Sequence, residues 1–221
     1  VAAAPIRKMA RKGSHVVVLP NGIENETWRV EPAERDPSVV TLVSVMRLAP
    51  RKRPMHLLRM VDEVVRRLPS DLQLKMVIIG DGPELSRLEK FVRAHGLNDV
   101  VKLVGRRTRE EIRNIFSRSD VFVAPANLES FGIAALEGRC AGLPVVAKSQ
   151  TGIREFVRHE QEGLLADSDQ DMVEQLLRIV TDRQLRDRIT EHNRAIPSPV
   201  DWSGVVQRNV EAYRLAMSLR S

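Results

Sequence analysis

The chain has 221 residues, 43% hydrophobic and 29% charged, the balance of a globular protein with enough apolar material for a sizeable core. A net charge of +6 comes with only 4% aromatic residues and no zinc-finger, recognition-helix or RNP-type pattern, which argues against nucleic acid and leaves an anionic small ligand or an anionic membrane surface. No apolar run reaches the ~20 residues that cross a bilayer, and the single cysteine, Cys140, excludes an internal disulfide or a cysteine-based zinc site and suits a reducing cytoplasm.

In chain order, Val1 opens without an initiator Met and reads as an expression boundary or a cut inside a longer protein. Residues 15–19 are predicted as a short strand closed by the turn Pro20-Asn21-Gly22. Continuous apolar runs follow at 39–46, 74–79, 100–104, 121–124 and 145–147. Runs that do not alternate belong to strands covered on both faces. Helical patterns fill the gaps at about 54–68, 83–95, 109–118 and 131–141, with Pro54 and Pro83 where a first turn tolerates proline. After Leu165 the pattern is purely helical, at 171–181, 182–194 and 201–219. In the last of these, Trp202, Val206, Val210, Tyr213 and Met217 form one apolar stripe, which calls for a packing partner. This alternation specifies an α/β protein: a doubly wound, Rossmann-like parallel sheet with extra C-terminal helices.

Such sheets bind ligands beyond the carboxyl ends of their strands, in the loops that lead into helices. The loop 47–53 carries four cations, Arg47, Arg51, Lys52 and Arg53, which suit an anion as well as they suit a solvated basic turn. Gly80-Asp81-Gly82-Pro83 lets the backbone turn sharply against a ligand. It is a poor dinucleotide fingerprint, because Leu85 stands where the third glycine would. Residues 127–133 lead from a strand into a helix, with Ser130 as N-cap and Gly132 leaving room for a phosphate at the helix N–H groups. Glu137 follows among Ile133, Ala134, Ala135 and Leu136, where a buried carboxylate needs a partner; an exposed carboxylate paired with Arg139 is the plainer alternative. Asp167-Ser168-Asp169-Gln170-Asp171 looks like a manganese-holding cluster, yet it lies just before a helix, where aspartates cap the first turn. No metal site is expected.

The segment ESFGIAALEGRCAGLPVVA, Glu129 to Ala147, resembles the signature of family 4 of the retaining, nucleotide-sugar-dependent glycosyltransferases, which have the GT-B fold. The hallmark of that signature is two glutamates separated by seven residues, matched by Glu129 and Glu137. The segments LPNGI, VMRLAPRK, IIGDGPE, VGR and SDVFVAP occur in family order, so the resemblance covers nearly the whole chain. It implies the carboxyl-terminal, donor-binding half of a GT-B enzyme. Residues 1–14 would then be the connection from an acceptor-binding domain, 15–200 the nucleotide-sugar-binding domain, and 201–221 a helix packing back toward the other half.

The resemblance also assigns roles. Arg47 and Lys52 grip the donor diphosphate, Gly132 and Ile133 offer it backbone N–H groups, and the reaction needs no metal. Glu137 accepts hydrogen bonds from the ribose, Glu129 faces the transferred sugar, and Arg106 lies near the base, with Gly80 and Gly82 in the same donor site. The implied donor is a UDP-sugar or GDP-sugar and no cofactor is needed; the acceptor is a glycan, lipid or small molecule, and the full-length enzyme is cytoplasmic or peripheral on the cytoplasmic face of a membrane. Alone, this half is expected to bind donor without transferring sugar. Thr151-Gly152 replaces the family's usual glycine pair, and Lys148 stands where a small or polar residue is usual, which leaves the donor sugar open. The competing readings are a non-catalytic sugar-nucleotide-binding module and a dinucleotide-binding Rossmann domain.

Overall fold

A computed structural model describes residues 16–17, 19, 21–34 and 36–218. A short helix α1 (Asn25–Trp28) precedes the alternating body: β1 (Val39–Val45), α2 (Pro54–Arg67), β2 (Gln73–Ile79), α3 (Leu85–Ala94), β3 (Val101–Gly105), α4 (Arg109–Ser117), β4 (Val121–Ala124), α5 (Ile133–Cys140) and β5 (Val145–Lys148). After β5 come β6 (Gly163–Ala166), α6 (Asp169–Thr181), α7 (Arg183–Ala195) and α8 (Trp202–Ser218). All strand pairings are parallel, and the order across the sheet is β3-β2-β1-β4-β5-β6.

The continuous apolar runs become central strands because side chains leave both faces of each strand for a core. In β1, Val40 and Leu42 enter one core and Val43 the other. The first core joins Leu57 and Leu58 of α2, Leu88 of α3, Met172 and Leu176 of α6 and Leu185 of α7. The second joins Trp28 of α1, Phe116 of α4 and Leu136 of α5. Each fully buried Leu contributes roughly 1.5–3 kcal/mol relative to exposure, so helices on both faces are held by the same strands. The sheet is doubly wound, as expected.

One strand was not anticipated and one expected strand needs correction. The strand β6, Gly163–Ala166, has no counterpart among the apolar runs read as strands, and it ends where the helical pattern begins. Of the predicted strand 15–19, residues 15 and 18 lie outside the described residues, and Val16, Val17 and Leu19 form no strand. Residues 1–14 also lie outside them. Helix α8 buries Val205 and leaves Trp202, Val206, Tyr213 and Met217 exposed. Gly22 lies under the Trp202 ring, where a Cβ would come within 2.5 Å of it.

Candidate functional site

The connectivity reverses direction between β1 and β4, the place where open α/β sheets bind ligands. These two strands pair over only Leu42–Val121 and Val43–Phe122 and then part. Ser44 reaches across the parting strands and donates from Oγ to the Val123 carbonyl at 2.6 Å. Above this seam opens a cavity of about 330 Å³ lined by Ser44, Met46, Lys52, Ala124, Glu129 and the start of α5. Beside it, on the β2 and β3 side, lies a wider hollow of about 520 Å³ bounded by Arg47, Gly80, Gly82, Arg106, Arg107 and Ile112.

One wall of the cavity is the start of α5. Helix α5 begins at Ile133, with Gly132 as its N-cap at φ +91° and no side chain closing the first turn. Ser130, the expected cap, therefore stands two residues too early. A Cβ on Gly132 would lie 2.5 Å from Ile153 Cγ1, so only glycine allows both the turn and the packing. The first-turn residues Ile133, Ala134 and Ala135 line the cavity. Their N–H groups and the positive end of the helix dipole make this terminus suited to an anion. The loop before it is braced by the Gly152 N–H, which donates to the Glu129 carbonyl at 2.8 Å. A Cβ on Gly152 would meet the Ser130 carbonyl oxygen at 1.9 Å, which explains a glycine there.

Lys52 reaches across to form an ion pair and hydrogen bond with the Glu129 carboxylate at the cavity mouth. Arg47 is exposed, and its guanidinium has no partner among the described residues. Arg106 is likewise exposed at the rim of the neighbouring hollow. Glu137 is half-buried one turn into α5 and makes no pair with Arg139, which instead sits buried beside Glu162 at 3.8 Å. Burial pushes the Glu137 carboxyl up to about 7, and Arg109 offsets this only in part. A carboxyl so placed, with no hydrogen-bond or ion-pair partner among the described residues, is suited to hydroxyl donors of a ligand.

Gly80 and Gly82 serve the chain as well as the hollow. Their Cβ positions would fall 1.8 Å from the Met46 carbonyl oxygen and 2.5 Å from that of Leu48. They let the β2–α3 loop press on the β1 loop, where the Leu48 N–H donates to the Asp81 carbonyl at 2.9 Å. The aspartate cluster divides its work: Ser168 caps α6 by accepting from the Asp171 N–H at 3.0 Å, while Asp171 accepts from the Asp167 N–H at 2.7 Å. Asp169 turns away to Arg53 and Lys148. Among the described residues no group of three or more His, Cys, Asp or Glu is placed to hold a metal ion. Sequence reasoning missed Ser44, which carries no local signal, and the Arg53–Asp169–Lys148 contacts, which join residues far apart in the chain.

Residues 25–196 match the family described as Glycosyl transferases group 1. The chain belongs to that family. Among curated relatives of this glycosyltransferase domain, it is 33% identical over 165 residues to a D-inositol 3-phosphate glycosyltransferase of Corynebacterium jeikeium, covering 72% of this chain and 39% of the relative. It is 24% identical over 199 residues to the phosphatidylinositol N-acetylglucosaminyltransferase gpi3 subunit of Schizosaccharomyces pombe, covering 90% of this chain and 43% of the relative. The chain thus spans less than half the length of these relatives. Among solved structures, the C-terminal domain of a glycosyl transferase group 1 protein, LpcC, from Francisella tularensis superposes with a TM-score of 0.65 at 21% identity, covering 79% of this chain and 95% of that one. Anabaena HepE, solved with UDP and glucose, gives a TM-score of 0.74 at 21% identity over 90% of this chain and 56% of its own. The glycosyltransferase domain described here has the fold of a GT-B carboxyl-terminal domain.

Proposed function

We propose that this domain binds a nucleoside-diphosphate sugar across the β1–β4 seam and supplies the donor half of a retaining glycosyl transfer. The reading rests on one observation: an uncapped helix N-terminus and Lys52 border a single cavity, beside the hollow that Arg47 and Arg106 border. Departure of a nucleoside diphosphate builds negative charge, and fixed cations and dipoles stabilise it without reorganising. In this reading Arg47, Lys52 and the Gly132–Ile133 backbone hold the diphosphate, so that no metal is needed. Glu137 takes the ribose hydroxyls, Arg106 borders the base, and Glu129 orients the sugar; its carboxylate is engaged by Lys52, which favours positioning over nucleophilic attack. HepE was solved with UDP, which supports a uridine donor, with GDP-sugars the second choice. Transfer itself requires an acceptor-binding domain, because holding two reactants in line needs both binding sites, and the relatives' remaining length accommodates one. The acceptor is a glycan, a lipid or a small molecule, and the enzyme works in the cytoplasm or on the cytoplasmic face of a membrane.

Titration calorimetry with UDP and GDP, in the presence of EDTA, tests the assignment. Arg47→Ala should weaken binding by about 1.5–3 kcal/mol through loss of a charge-assisted contact, with no change in Tm, since the side chain is exposed and has no partner among the described residues. Binding that needs manganese, or an Arg47→Ala variant with unaltered affinity, would remove this grip from the mechanism.

A further inference from the structure

The loop that carries Arg47 and Lys52 ends at Arg53, and Arg53 adopts a left-handed backbone conformation at φ +61°, a conformation found among the described residues at only one other non-glycine position, Glu160. An arginine is strained there where a glycine would not be. Its side chain is 12% exposed and spans three loops at the ligand edge of the sheet. One end of the guanidinium forks onto the Asp169 carboxylate, with contacts of 2.9 and 2.6 Å, at the start of α6. Nη1 also donates to Asn127 Oδ1 at 2.7 Å and to the Pro125 carbonyl at 3.3 Å, in the loop that leads to Glu129. On the far side, buried Lys148 at the end of β5 holds the same Asp169 carboxylate at 2.8 Å.

We infer that Arg53, anchored by Asp169 and Lys148, is a positioning residue that fixes the Pro125–Glu129 loop, and with it the Glu129 carboxylate, against Lys52. The inference rests on the donor-site reading and adds to it a determinant of sugar binding outside the cavity wall. The clasp bears chiefly on the sugar end of the site, where Glu129 stands. Arg47, Arg106 and the hollow beside β2 lie on the other side of β1 and do not touch it. The strain at Arg53 is offset by these four contacts, and a planar fork is what lets one side chain reach two loops at once. Lys148, a departure from the small or polar residue that the family resemblance leads one to expect, has its role here as the second cation on Asp169.

Two variants of the whole chain separate this role from plain scaffolding. Arg53→Gly removes the clasp while relieving the backbone, and Asn127→Ala removes the shorter of its two contacts with the Glu129 loop. Affinities for UDP, UDP-glucose, GDP and GDP-mannose are measured by titration calorimetry, together with hydrogen exchange of residues 126–132. Both variants should keep nucleotide affinity within about twofold and lose at least about fivefold of the extra affinity that the sugar confers, as expected for a misplaced charged partner. Exchange should quicken at 126–132 and stay unchanged in β2 and β3. Unaltered exchange at 126–132, or an unaltered ratio of sugar-nucleotide to nucleotide affinity, overturns the inference while leaving the donor site standing. Equal loss for nucleotide and sugar nucleotide, with a lowered Tm, reduces Arg53 to scaffolding and also overturns it. A wild-type chain that binds none of the four ligands overturns the donor site, and this inference with it.

Discussion

Glu137 ties the stability of the domain to its ligand through a proton. In the unfolded chain its carboxyl titrates near 4.5, and in the folded one near 7, because burial disfavours the charge. The folded state therefore binds that proton more tightly, and its contribution to stability is full below about 4.5 and lost as pH rises through 7. Glu137→Gln should flatten this dependence and raise stability at pH 8 by about 1–2 kcal/mol, once solvent at its half-buried edge is allowed for. Urea unfolding at pH 5 and pH 8 measures it. Hydroxyls donating to the carboxylate would pull its pKa back down, so nucleotide should bind more tightly at pH 8 than at pH 6. The Gln variant should lose part of that slope beyond what the phosphate's own titration produces. A wild-type slope retained in the variant would take Glu137 out of contact with the ligand.

Among the elements, α5 is the one whose start decides the site, and its start is only half legible in the sequence. Its apolar residues and the Phe-Gly entry mark a helix after β4, but Ser130 is the better cap by side-chain chemistry. What moves the start to Ile133 is the close approach of Ile153 and Gly152 from the following loop, a tertiary contact without a local pattern. The same limit hides Arg53: no spacing rule links it to Asp169. By contrast β1 to β5 are plain, because strands covered on both faces leave unbroken apolar runs, while β6 opens on a glycine and has no β-branched residue to mark it. Gly132→Ala tests the start directly. With φ at +91° and Ile153 Cγ1 at 2.5 Å from the new Cβ, it should destabilise the domain by about 1–3 kcal/mol and weaken diphosphate binding as the N–H groups shift. Gly96→Ala is the control: φ is +66° but nothing lies within 4 Å, so thermal melts should show strain alone and calorimetry no change in affinity.

On the scale of the molecule, α8 stands apart from the two cores. It is fixed at its beginning by Val205 and by the bridge between Ile23 and Asp201, and beyond that Val206, Tyr213 and Met217 face solvent. A stripe of this kind associates with whatever apolar surface it meets. The chain should sediment as a concentration-dependent mixture, and Val206→Lys with Tyr213→Lys should return it to a monomer without altering Tm or nucleotide affinity. Sedimentation as a monomer at every concentration would show that the stripe does not associate. The two ends of the ligand seam also differ in what they are made of. At one end Gly132 and Gly152 are placed where any side chain would collide; at the other the side chains Arg47, Arg106, Arg107 and Ile112 join the equally constrained Gly80 and Gly82. A wall of main chain is nearly deaf to substitution, whereas a wall of side chains can be rewritten residue by residue. Directed evolution toward a new nucleobase should therefore collect its mutations around Arg106 and Ile112, and leave the segment from Ser130 to Ile133 as it is.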